Sequence, residues 1–199
     1  GAATNIGLLQ MQADAVPGIA PQTDYSVARL SQEFANRSSL GFLLVSKEEN
    51  GSLDGGPDHY NRTFAVDGQL GLGDDGLVSG FVAKTETPGL RSDDTAFRIS
   101  AAADTEEWSY SGSVMQVGEN FNPEVGFLRR TDFTSFDLFA LRRWRDPSWK
   151  SLLELRPHIY YKGWWGGDDL YETGFLHIDN HWEWKSGFEV HTGMNLLHE

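Results

Sequence analysis

Cysteine is absent from this chain. That excludes a disulfide framework, thiolate metal sites and a cysteine nucleophile. No apolar run is long enough for a membrane-spanning helix or a signal-peptide core. Basic residues are scarce: 16 Lys and Arg stand against 29 Asp and Glu, a formal net charge of −13. So acidic a surface repels phosphate backbones, so nucleic acid is not an expected partner. The one basic cluster, Arg142, Arg143 and Arg145 with Lys150 nearby, reads as a solvated strand end or turn. Amphipathic helices are missing too. In "YSVARLSQEFANR" (25–37), Val27, Leu30 and Phe34 approach helical spacing, but β-like neighbours and the following turn favour a strand. The chain opens Gly1-Ala2-Ala3 without an initiator Met, which suggests a processed or excised piece.

What is present points to β structure. Aromatics make up 13% of the chain and glycines number 22, a combination that favours strands and turns over helices. Apolar and polar residues alternate with period two. Phe64, Val66, Leu70 and Leu72 share one face, with Asp67 and Gln69 on the other. Leu153, Leu155, Pro157, Ile159 and Tyr161 oppose Glu154, Arg156, His158, Tyr160 and Lys162. From 182 to 196, Trp182, Trp184, Val190, Met194 and Leu196 oppose His181, Glu183, Glu189, His191 and Asn195. Further strands are expected at 4–12, 25–34, 40–47, 77–85, 95–103, 108–117, 135–143 and 171–178. Turn chemistry separates them: "NRSS" at 36–39, "GDDG" at 73–76, "TPG" at 87–89 and "GGDD" at 166–169.

The expected fold is therefore all-β, an antiparallel up-and-down meander over a single domain, 1–199. Strands of about ten residues suit a tilted bilayer crossing, whereas strands of soluble proteins average five or six. The expectation is most of a transmembrane β-barrel, a fragment or an incomplete barrel. Trp164, Trp165, Tyr160, Tyr161, Trp182 and Trp184 would then sit near interfacial girdles.

The stretches "NRTFAVDGQLGLGDDGLVSGFVAKTETPG", "VGENFNPEVGFLRRTD" and "LHIDNHWEWKSGFEVHTGMNLLHE" resemble a family of bacterial outer-membrane β-barrel domains of unknown function. In that family the barrel commonly follows a carbohydrate-binding module of the family-9-like type. The resemblance implies a Gram-negative outer membrane, contact with its lipid and a link to carbohydrate, but no activity and no cofactor. The chain stops at Leu197-His198-Glu199, where a complete barrel usually closes on an aromatic residue. An unclosed sheet has two bare edges, which lipid does not tolerate. Missing strands, partner chains covering the edges, or a location outside the bilayer would resolve this.

Asp67, Arg156, His158, Glu183 and Glu189 are expected to line the polar interior. The loop "QVGENFNPEVGFLRRTD" (116–132) is expected to hold a charge network of Glu119, Glu124, Arg129, Arg130 and Asp132, with Asn120 and Asn122 bonding locally and Phe121 and Phe127 pinning it. His177, Asp179 and His181 alternate, so on a strand they share a face and offer imidazole and carboxylate ligands for a metal. Against that, Asp179-Asn180 is also a good turn pair. Trp164, Trp165 and Trp182 are candidates for stacking a sugar ring. Asp74-Asp75 and Asp168-Asp169 lack the spacing of known calcium loops and read as solvated turns. No nucleophile with an evident base is present, so no catalytic residue is assigned. The expected function is an outer-membrane barrel, structural or transport-related, with a link to glycan handling. Alternatives are a soluble secreted carbohydrate-binding sandwich or barrel, an accessory subunit of a larger membrane assembly, and an envelope glycan hydrolase using Glu154, Glu183 or Glu189.

Overall fold

The computed structural model describes residues 2–53, 56–168 and 170–199; Asp169 of the second acidic pair lies outside them. Eleven antiparallel strands form the structure, and no helix occurs among the described residues. They are β1 (Ala3–Ala13), β2 (Gln22–Glu33), β3 (Ser39–Asn50), β4 (Tyr60–Leu72), β5 (Gly76–Glu86), β6 (Thr95–Asp104), β7 (Trp108–Val117), β8 (Phe133–Arg142), β9 (Leu152–Gly166), β10 (Tyr171–Trp184) and β11 (Glu189–His198). The hydrogen-bonding order follows the sequence from β1 to β11 without a crossover. This is the expected up-and-down meander, with β1 and β11 at the ends of the order, as in an incomplete barrel. Strand lengths of 10 to 15 residues exceed those of ordinary soluble sheets.

Residues 25–37 form no helix: β2 runs straight through Val27 and Leu30 and pairs with both β1 and β3. The turn after it is held by Arg37 at a φ of 62°. The stretch 182–196, expected as one strand, is two. β10 continues through Asp179-Asn180 to Trp184, and the chain reverses at "KSGF", where Gly187 takes a φ of 84°. Cross-strand pairing overrides the local turn preference, because Asp179 and Asn180 lie opposite partners on both β9 and β11.

Two compact units are distinguished. One comprises the chain up to residue 70 with 79–98 and 116–133; the other comprises 71–78, 99–115 and 134–199. In the first, Ile6, Leu30, Phe42 and Val66 pair across four strands, and Leu8, Ala28, Leu44 and Phe64 form the next row. The row beyond is polar: Gln10, Ser26, Ser46 and Arg62. In the second unit, Ile159, Ile178 and Met194 form one row, and Leu155, Trp182 and Val190 another.

These apolar rows are not a dry core. Leu8 is 80% exposed and Ile6 72%. Among the described residues the buried hydrophobic side chains are Ala83, Ala96, Val117, Phe121 and Phe133.

Candidate functional site

In the second unit, register gathers the polar side chains of β9, β10 and β11 into a lattice. Glu154 lies opposite Glu183, which lies opposite Glu189. The next rows are Arg156–His181–His191, His158–Asp179–Gly193 and Tyr160–His177–Asn195. Period two puts them on one face, because each step of two residues returns to the same side of the pleat.

Arg156 is the hub of the carboxylate row. It pairs with Glu189, and with Glu183 and Glu154 at 3.4 Å each. Arg145 also pairs with Glu154, which is buried. Three acids sharing one guanidinium make an ion-pair lattice, not the two carboxyls flanking a cleft that glycoside hydrolysis uses. The basic cluster is also absorbed. Arg143 pairs with Asp104 at 3.0 Å, and the Arg142 guanidinium lies over the Trp108 and Trp144 rings at 5.4 and 5.2 Å.

Below that row the face is rich in histidine. His181 bridges two acids, with Nε2 3.3 Å from Asp179 Oδ2 and Nδ1 3.3 Å from Glu189 Oε1. Its ring stacks on His191 at 3.7 Å, and His191 Nε2 lies 3.2 Å from Glu189. His177 Nε2 lies 3.9 Å from Asp179 Oδ2, and the His158 ring is 5.2 Å from that of His177. Among the described residues two sets of metal-ligating type result: His158, His177 and Asp179, and Asp179, His181 and His191. In each, the ligand atoms lie within 4.8 Å of one another. His177 and His181, grouped by sequence spacing, fall in separate sets that share Asp179.

The tryptophans named for sugar stacking do not form one platform. Trp164 shares the polar face with Lys162, whose Nζ lies 4.7 Å over its ring. Trp165 is on the opposite face, in edge contact with Phe136 at 5.3 Å and beside Tyr171 at 5.0 Å. Trp182 lies near the other end of β10, opposite Leu155 and Val190, and its indole N–H donates to Thr192 Oγ1 at 3.3 Å.

Polar docking dominates the first unit. The loop 118–126 is seated by buried side chains of β4 and β5. Asn61 is 1% exposed; its Nδ2 donates to the Asn122 carbonyl at 2.6 Å and to Thr87 Oγ1 at 2.8 Å. Its Oδ1 accepts the Glu124 N–H at 3.1 Å. Thr85 Oγ1 accepts the Asn122 N–H at 3.0 Å. Upstream, the Gly118 N–H donates to the Thr95 carbonyl at 2.9 Å. A Cβ on Gly118 would run into the Asp93 backbone, so only glycine fits that approach.

The charges of this loop differ in their partners from the sequence expectation. Glu124 is the anchor, with Lys47 Nζ at 2.9 Å and His59 Nε2 at 2.9 Å. Burial alone would push its carboxyl up, but the hydrogen bonds from Lys47 and His59 prevail and hold it below the usual carboxylate range. Arg130 lies over the Phe133 ring at 5.3 Å. Among the described residues, Glu119, Arg129 and Asp132 form no ion pair; Asp132 occupies a φ of 58°. Asn120 donates to the Ser92 carbonyl at 3.1 Å. Phe121 is buried and pins the loop, whereas Phe127 is 88% exposed.

Asp67 is also engaged. The Arg29 guanidinium crosses β3 to reach both its oxygens, one at 2.7 Å. Gly41 is the strand residue beneath the crossing, and any Cβ there would strike the guanidinium.

No protein-family model, curated protein or solved structure matches this chain.

The members of the histidine row on β10 are visible in the spacing of the sequence, but its partners are not. His158 and His191 become neighbours only through the register of β9 and β11. Asn61 and Thr85 carry no local signature, because "YNRTF" and "AKTE" look like ordinary strand.

Proposed function

We propose that this chain is a membrane-embedded β-sheet of a Gram-negative envelope, presenting one face to lipid and keeping the other polar. The observation that carries the reading is the exposure of large apolar side chains along these rows on strands paired on both sides, Leu30, Phe42, Phe64 and Val66 among them, and not only on the edge strand β1. Fully burying one such side chain is worth about 1.5–3 kcal/mol. A chain of 199 residues has ample material for a dry core. Rows of Ile, Leu, Phe and Val left outside, beside a face carrying arginine, histidine and carboxylates, match a lipid-facing exterior and a wet interior. Strand lengths of 10 to 15 residues fit a tilted crossing. No helix among the described residues is long and apolar enough to cross, and strands are the other way to satisfy backbone groups in lipid. The resemblance to outer-membrane barrel domains agrees in kind. The role that follows is a structural or transport element of the envelope, its sheet edges paired with further strands or partner chains.

The test is extraction of the expressed chain. Retention in the membrane fraction through high salt and alkaline carbonate, with release by detergent, supports the proposal. A monodisperse, folded protein in plain buffer overturns it and favours the soluble sandwich or barrel.

A further inference from the structure

We propose that His158, His177 and Asp179 form a binding site for a divalent transition-metal ion of the zinc class. The three lie on the polar face of β9 and β10, one ligand atom from each within 4.8 Å of the others. A tetrahedral ion bound at about 2.0–2.1 Å needs its ligand atoms roughly 3.3 Å apart. Binding would draw the three ligand atoms together by small side-chain adjustments on strands whose register already places them side by side.

Two independent observations point to a ligand. The first is Asp179. Its side chain is only 10% exposed, and among the described residues Oδ1 has no hydrogen-bond partner. Its Oδ2 is the oxygen that faces His177, and a cation held between them offsets the cost of burying the carboxylate. Gly193, directly across on β11, lets the Asp179 carboxyl pack close over that strand: a Cβ there would press on its carboxyl carbon at 3.2 Å.

The second is the orientation of the rings. His158 Nδ1 lies 3.3 Å from the Arg156 backbone carbonyl, which can only accept, so that nitrogen carries the proton. His177 Nδ1 lies 2.6 Å from Asn195 Oδ1 and donates to it in the same way. In their neutral form both rings therefore present an Nε2 lone pair for a ligand. Metal-binding histidines are held like this, the distal N–H tied to a carbonyl or amide oxygen. Two imidazoles and one carboxylate suit zinc and related ions, and leave a fourth position open. His181 and His191 are differently engaged: Glu189 lies between them, and His191 is more than half exposed.

The test is titration of Co(II) and Zn(II) into the full chain, folded in detergent micelles or in buffer, whichever keeps it monodisperse. The site predicts one ion per chain, with Co(II) ligand-field bands typical of low coordination number. Zn(II) should shift the ring resonances of His158 and His177 in the unaltered protein. Asp179→Asn and His158→Ala should lose the stoichiometric site while keeping the sheet's circular dichroism. Asn195→Ala should weaken binding about 10–100-fold, the usual effect of removing such a support, and His198→Ala, outside both ligand sets, should leave affinity unchanged. No stoichiometric binding by the unaltered chain overturns the proposal. So does Asp179→Asn binding as tightly as the parent, or dependence on His191 in place of His158.

Discussion

Replacing Asn61 with alanine tests how the loop 118–126 is held. The side chain makes three bonds, to the Asn122 carbonyl, the Glu124 N–H and the Thr87 hydroxyl. Alanine removes all three, and at 1% exposure water does not replace them without the loop moving. The Thr87 hydroxyl can rotate to another partner. The two backbone groups of the docked loop cannot. Stranding a buried backbone group costs about 1–3 kcal/mol. At roughly 1.5 kcal/mol for each of two groups, docking weakens by about 3 kcal/mol. With tenfold per 1.4 kcal/mol, the opened loop becomes roughly 150-fold more populated. Amide hydrogen exchange reads this directly, at Asn122 and Glu124 above all, with β2 as internal reference. Protection in 118–126 should fall by about two orders of magnitude while β2 is unchanged. Protection unaltered within threefold would refute the clamp. An equal loss in β2 would show instead that Asn61 supports the whole unit.

Three further outcomes follow from the same geometry. Glu124 is held below the ordinary carboxylate range in the folded state, so its contribution is complete above the unfolded value and is lost as pH falls through the lowered folded one; loop protection should decline in acid, and Glu124→Gln should flatten that decline. Gly41→Val should break the Arg29–Asp67 pair by filling the crossing point, and the flexible Arg29 side chain swings aside; the pair is over one-third exposed, so the loss read from denaturant midpoints should be about 0.2–1 kcal/mol. Leu8→Arg, on the exposed apolar row, should cost up to about 2–4 kcal/mol of folding free energy in lipid vesicles, depending on its depth, yet little where that face meets water.

Period-two alternation gave the fold class, since strands expose alternate residues to alternate faces and little else produces that pattern over ten residues. Strand number was legible for the same reason. Misreadings arose where pairing decides. Asp179-Asn180 looks like a turn in isolation, but neighbours on both sides keep it extended. Conversely, Trp182 to Leu196 keeps its alternation across a real reversal, because the four-residue turn preserves the period. The site was half legible. One strand's row of His177, Asp179 and His181 is visible in sequence, while His158, Gly193 and Asn195 join it only through register. The docked loop was recognised as a loop, but its anchors Asn61, Thr85 and Lys47 are distant in sequence and have no local mark.

The absence of cysteine makes the decisive measurement straightforward. Single cysteines at Phe64, Ala65, Val66 and Asp67 of β4, each carrying a nitroxide, sample successive positions along one strand in reconstituted vesicles. A lipid-facing row on β4 means that labels at 64 and 66 collide freely with lipid-soluble oxygen and hardly with a water-soluble nickel chelate, and that 65 and 67 do the reverse. Low accessibility to both reagents at 64 and 66, the behaviour of side chains packed in a dry protein interior, would contradict it.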